Sequence, residues 1–227
     1  MYKLSSLLLV IFCIVIISSF SDAVYNNVVV TGNVMEIKNR GDLVVSKGNT
    51  KAVESRNIIM ADMLVYDKKR SAILASGNTK LLSKALDDGP IEAYCESAKY
   101  CISDGSAILW DNDSVIIKYF MHNLIQPIIL HAHKVCVSRK QKILSAYDNV
   151  EVVTSFGTIY SDNVVFNEGM HNVVFKKDKK RPTANILYDK KKGFCEADEI
   201  FFCNSDNKRK IVMNGFVIGK IIVEDKI

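Results

Sequence analysis

The stretch ADMLVYDKK, Ala61 to Lys69, is the phrase around which this chain is organised. It runs small residue, polar residue, any residue, then apolar, apolar, aromatic and a polar turn. It returns as SDNVVFNEG at Ser161–Gly169 and as ADEIFFCNS at Ala197–Ser205. AHKVCVSRK at Ala132–Lys140 and SAKYCISDG at Ser97–Gly105 are looser copies. The copies start at 61, 97, 132, 161 and 197, in steps of 36, 35, 29 and 36 residues. Self-similarity at a period of about 20–50 residues marks stacked units, none of which buries its apolar face alone. A unit of this length is expected to hold about four short strands.

Side chains alternate across a strand, so the second apolar set of the phrase falls on one face. That set is Leu64 and Tyr66, Val135 and Val137, Val164 and Phe166, Ile200 and Phe202. These eight are the candidate interior and ligand-lining residues. The position before them varies through Met63, Lys134, Asn163 and Glu199, which suits an outward place. The small residue, Ala61, Ala132, Ser161 or Ala197, suits a tight corner where the strand bends. A second mark recurs as Gly32-Asn33-Val34, Gly48-Asn49-Thr50 and Gly77-Asn78-Thr79.

The rest of the chain has the same character. Alternating or β-branched runs include VVVTGNVMEI (Val28–Ile37), SAILAS (Ser71–Ser76), SVIIKYF (Ser114–Phe120), NVEVVTS (Asn149–Ser155) and FVIGKIIV (Phe216–Val223). Polar clusters break them: NRGD (Asn39–Asp42), SKGN (Ser46–Asn49), DDGP (Asp87–Pro90), DNDS (Asp111–Ser114) and SDNK (Ser205–Lys208). Short strands with frequent turn signals predict an all-β fold. No amphipathic helix and no Pro/Ser-rich linker interrupts residues 24–227, which are expected to form one domain.

Residues 1–23 have the form of an export segment. Lys3 precedes the apolar run LLLVIFCIVII, Leu7–Ile17, and small residues follow at Ser21-Asp22-Ala23. Either the chain is cleaved after Ala23, or residues 4–20 remain as a short membrane anchor. Cleavage would remove Lys3 and Asp22 and leave the net charge at +5. Five cysteines would remain, Cys95, Cys101, Cys136, Cys195 and Cys203; an odd number without a CxxC describes neither a disulfide framework nor a zinc site. The run KKDKKRP, Lys176–Pro182, is expected to be a solvated turn.

Catalytic patterns are absent: the sequence holds no GxSxG, HExxH, CxxC, P-loop or GxGxxG. His131 and His133 share a strand face by spacing, but a zinc site wants three or four ligands. Asp111, Asp113 and Asp148 stand where turns need Asp. No enzyme activity, cofactor, metal or nucleic-acid partner is expected.

Residues Val28–Leu82 resemble the OstA-like repeat of the LptA family of periplasmic lipopolysaccharide-transport proteins. The resemblance rests on Gly32-Asn33-Val34, on Ala61-Asp62-Met63-Leu64-Val65-Tyr66 and on Gly77-Asn78. It recurs in weaker form over 157–221 and is thin over 90–150. It implies an open β-jellyroll of stacked antiparallel strands, an apolar groove for the acyl chains of lipopolysaccharide, and a periplasmic location. It also implies partners of like fold, as in LptC and the amino-terminal domain of LptD, joined by edge-strand addition or as a head-to-tail homo-oligomer. Three function classes follow: an LptA-like lipid-transport module, its membrane-anchored LptC-like variant, and an exported structural β-solenoid with no ligand. A polysaccharide-acting β-helix would need paired carboxylates on one exposed face, and no such pair recurs at the repeat spacing.

Overall fold

The structure, a computed structural model, describes residues 28–54, 57–83, 90–120, 126–138, 140–155, 157–167, 172–188, 191–205 and 208–222; among these, the side chains of 188, 191, 202–211 and 221–222 are not described. The export segment, with both of its readings, lies outside the described residues.

The described residues form β-strands in this order: β1 (Val28–Thr31), β2 (Val34–Lys38), β3 (Leu43–Glu54), β4 (Asn57–Asp67), β5 (Ala72–Ser83) and β6 (Ile91–Cys101). Then come β7 (Ser106–Tyr119), β8 (Ile128–Ser138), β9 (Ile143–Thr154), β10 (Gly157–Asn167) and β11 (Asn172–Lys176). The last are β12 (Thr183–Tyr188), β13 (Lys191–Glu196), β14 (Glu199–Ser205), β15 (Lys208–Asn214) and β16 (Ile218–Ile222). All belong to one antiparallel sheet that does not close on itself. From β3 to β10 each strand pairs with its sequence neighbours, a meander of long hairpins. The fold is all-β, an open jellyroll.

Each repeat holds two long strands rather than four short ones. The reason is that SKGN and DNDS do not end strands; they bend them. Register shifts recur in mid-strand: Lys47/Thr50, Met60/Met63, Ser76/Thr79, Tyr94/Ser97, Trp110/Val115, His131/Lys134 and Ser161/Asn163. Extra residues there re-aim the chain while the ladder continues on both sides. The corners align into a column that divides the sheet into two halves.

The two strand types turn this corner differently. In β4, Ala61 is buried before it and Leu64 after it, three residues on where an unbroken strand would give two. Cys95 and Ala98, Ala132 and Val135, and Ser161 and Val164 do the same. One inserted residue keeps the inward face inward. Three of the intervening strands, β3, β5 and β9, use a left-handed pair: Gly48 and Asn49 have φ of 72° and 48°, Gly77 and Asn78 74° and 45°, Asp148 and Asn149 62° and 52°. Gly, Asn and Asp are the residues that tolerate this region. This is the structural meaning of the Gly-Asn mark at Gly48-Asn49 and Gly77-Asn78; Gly32-Asn33 instead marks the break between β1 and β2 and has no positive φ.

The looser copy at Ser97 is displaced by two positions. Ser97 pairs with Ser76, which pairs on its other side with Met63, so Ser97 occupies the place of Met63. The true equivalent of Ala61 is Cys95. Sequence similarity favoured a serine at the small position, whereas the position requires a small side chain of any polarity.

Beyond β10 the halves separate. Residues 163–167 of β10 pair with β11, and residues 157–160 pair with β12. One half continues as β11, β14, β15 and the other as β12, β13, β16. At the opposite end β1 and β2 both pair with β3, on either side of Gly32-Asn33. The run Val28–Ile37 is therefore two edge strands, and in Phe216–Val223 the edge strand is β16, with β15 as a second free edge.

Candidate functional site

The inner face is built from rows of residues that pair across the sheet. One row runs Ser46, Leu64, Ala75, Ala98, Leu109, Val135, Ala146, Val164, Phe175, Ile200 and Met213. From Ser46 to Ile200 every member is buried, while Met213 at the last strand is exposed. The adjoining row runs Val44, Tyr66, Ile73, Tyr100, Ala107, Val137, Leu144, Phe166, Val173 and Phe202.

The eight candidate residues therefore lie in these two rows. Leu64, Val135, Val164 and Ile200 share the first; Tyr66, Val137, Phe166 and Phe202 share the second. Leu64, Val135, Val137, Val164, Phe166 and Ile200 are buried, and Tyr66 packs half-buried against the same core. Phe202 stands opposite Val173 by backbone register, and its side chain lies outside the described residues. Met63, Lys134, Asn163 and Glu199 fall together in a row on the other face.

The facing wall comes from the other half-sheet, and the repeated phrase did not reveal it. Its row runs Ala52, Ile59, Leu81, Ala93, Ile117, Leu130, Val152, Ile159, Ala184 and Cys195. All but the partly buried Leu81 are buried. These residues precede the corner in β4, β6, β8 and β10 and follow it in β3, β5, β7 and β9, where the local pattern is plain alternation without the phrase. Each fully buried Ile, Leu or Val in it contributes about 1.5–3 kcal/mol relative to exposure.

Between the walls lies an apolar cavity of about 40 Å³, lined by Leu81, Ser83, Ile91, Ala93, Ala107, Leu109, Ile117 and Val137. A benzene-sized guest needs about 150 Å³. At this place the walls pack closely, so an alkyl chain enters here only if the half-sheets part.

The corners carry the polar chemistry. Thr50 Oγ1 donates to the Ala61 carbonyl at 2.7 Å and Thr79 Oγ1 to the Glu96 carbonyl at 3.2 Å. Asn78 Nδ2 donates to Asp62 at 2.8 Å, and Asn112 Nδ2 to Glu96 at 2.7 Å. Asp111 Oδ1 accepts from the N–H groups of Asp113 and Ser114, at 2.8 and 3.2 Å, and caps the bend in β7.

At the fork the same carboxylate position fastens the chain crossing between the halves. Asp162 Oδ2 accepts the backbone N–H groups of Asp178, Lys179 and Lys180 at 3.2, 2.6 and 2.6 Å. Burial pushes the Asp162 carboxyl up, but those three donors together hold it below its ordinary value. Asp198 accepts from Arg181 Nε at 2.7 Å and from the Phe216 N–H at 2.9 Å, and both lower its pKa. The Lys177–Pro182 crossing is thus an anchored loop. It borders a mixed-charge cleft of about 720 Å³ with Glu151, Tyr160, Asp162, Lys177, Lys179, Lys180, Arg181 and Glu196 in its walls.

Among the described residues no group of three or more His, Cys, Asp or Glu side chains is placed to hold a metal. His131 Nδ1 lies 3.5 Å from Ser114 Oγ. Cys95, Cys101, Cys136 and Cys195 are free thiols.

No family model matches the chain, and no curated protein does. Among solved structures it is similar to LptH, the LptA-homologous periplasmic component of the lipopolysaccharide transport device of Pseudomonas aeruginosa. The sequences are 13% identical, the match covers 57% of this chain and 95% of that one, and the TM-score is 0.48.

Proposed function

We propose that this protein is a periplasmic lipopolysaccharide-binding transport module that shields acyl chains between the inner and outer membranes. One observation carries the reading: the inward row from Leu64 to Ile200 crosses nine strands without a polar side chain. Burial of methylene groups in such a trough is worth about 0.8 kcal/mol each, so binding needs no special residue. The open edges at both ends would let a second copy, or a partner of like fold, extend the trough by strand addition. The export segment and the resemblance of residues 28–82 to the OstA-like repeat support the location.

The test is mass spectrometry of protein purified under native conditions from a Gram-negative host, with photo-crosslinkers at Leu64 and Phe166. Acylated lipid should co-purify and crosslink there, and not from Met63 or Asn163 on the other face. Equal labelling of both sets would sink the reading. Intact mass separates the secreted form, beginning at Val24, from an anchored LptC-like form retaining residues 4–20.

A second reading is favoured by the tightness of the interior: an exported β-scaffold whose walls simply pack on one another. Its signature is the same purification yielding no lipid at all.

A further inference from the structure

The half-sheets meet at a polar contact near the amino-terminal end of the trough. Glu54 and Asn57 lie on the rim of one half, next to the β3–β4 hairpin, and Tyr100 lies on the inner face of the other. Asn57 Nδ2 donates to Glu54 Oε2 at 3.1 Å, and Tyr100 Oη donates to the same oxygen at 3.2 Å. Asn57 Nδ2 also approaches Tyr100 Oη at 3.4 Å. Tyr100 is only 4% exposed. The remaining amide oxygen, Asn57 Oδ1, is buried and has no hydrogen-bond partner among the described residues.

Two physical consequences follow. A polar bridge in a mostly apolar seam is a place where the seam separates at low cost, because water replaces its hydrogen bonds when it opens. An orphaned buried carbonyl oxygen is an unfilled acceptor, and such groups are rare in folded proteins. The contact is also rich in acceptors, through Glu54 and Asn57 Oδ1, and so it suits a donor rather than an anion.

We propose that Glu54, Asn57 and Tyr100 form the mouth of the trough: a clasp that opens to take the hydroxyl or amide N–H of an acyl amphiphile as its chain enters. This rests on the transport reading for its ligand, but the clasp itself does not.

Tyr100→Phe removes the bridging hydroxyl and keeps the ring. Asn57→Leu replaces the orphaned amide with an apolar group of similar size. Amide hydrogen exchange followed by mass spectrometry should rise at least threefold over 57–60 and 98–101 in Tyr100→Phe and fall in Asn57→Leu. No change in either variant, or a shift of both in one direction, overturns the clasp.

For the ligand, the neutral fluorophore N-phenyl-1-naphthylamine is displaced by dodecanol or by dodecyl methyl ether, which share a chain and differ in one O–H donor. Dodecanol should compete about fivefold better in the native protein, the worth of one net hydrogen bond, and the preference should vanish in Asn57→Leu. Equal competition in the native protein overturns the receptor role. Failure of the fluorophore to enter either the native protein or Tyr100→Phe overturns the transport reading and the receptor role with it, while the exchange result still decides the clasp.

Discussion

Asn78 Nδ2 donates to Asp62 Oδ2 at 2.8 Å, joining the left-handed corner of β5 to the inserted residue of β4. A Cβ on Gly77 would stand 2.5 Å from that same carboxylate oxygen. The Asp of the repeated phrase and the Gly-Asn mark one strand later are therefore two parts of one device. Asp198 and Gly215 repeat the arrangement at the fork, where a Cβ on Gly215 would lie 2.3 Å from Asp198 Oδ2.

This predicts the cost of filling the corner. Gly77→Ala places a Cβ at φ 74° and against Asp62. The backbone strain alone costs about 1–2 kcal/mol, which lowers the melting temperature by about 3–6 °C in a domain of this size. Gly77→Ala combined with Asp62→Ala should recover the steric part and leave the backbone part. Differential scanning calorimetry of the two variants checks it; full recovery in the double variant would show that φ strain is absent.

The fork should weaken in acid. Asp198 has its folded pKa lowered by Arg181 first and the Phe216 N–H second. A depressed carboxylate contributes stability that is complete above its unfolded pKa, about 3.9, and lost as pH falls through the lower folded value. Native protein should therefore lose more melting temperature than Asp198→Asn between pH 5 and pH 2.5. Parallel curves for the two proteins would refute the assignment.

Thiol reactivity should be graded by burial. Cys95, at the corner of β6, has its pKa pushed up to about 12, chiefly by burial. At pH 8 it should resist iodoacetamide in folded protein and react on addition of urea, since the thiolate is the nucleophile. Peptide mapping reads this directly, and rapid alkylation of Cys95 in native buffer would mean that the β6 corner opens.

Strand addition at the ends is open to a charge test. Val34 on β2 is 56% exposed and Ile218 on β16 is 43% exposed, each on a strand with one free edge. Lysine at an edge is a common natural block to pairing. Val34→Lys and Ile218→Lys should each reduce concentration-dependent association seen by light scattering and leave the monomer's melting temperature within about 1 °C. A native protein that is strictly monomeric at high concentration would remove the basis for the bridge.

The sequence by itself determined the strand class, the repeat and the inward set. Alternation has a period of two, so Leu64 with Tyr66 and Val164 with Phe166 had to share a face. The Gly-Asn pairs were visible as marks, and the intrinsic tolerance of Gly and Asn for positive φ is a local property. Tertiary structure decided what local pattern does not encode. SKGN and DNDS have the composition of turns, yet they bend strands whose ladders continue past them, because pairing to both neighbours outweighs the local preference to end. Ser97 matched the phrase by type, but its partner Ser76 fixed its place two residues along. The second wall, Ile59 through Leu130 to Ala184, carries no phrase because its position is set by pairing across the sheet. The Glu54–Asn57–Tyr100 contact joins residues 43 and 46 positions apart. Only the folding of one half-sheet onto the other brings them within hydrogen-bonding distance, and no feature of either local sequence specifies that apposition.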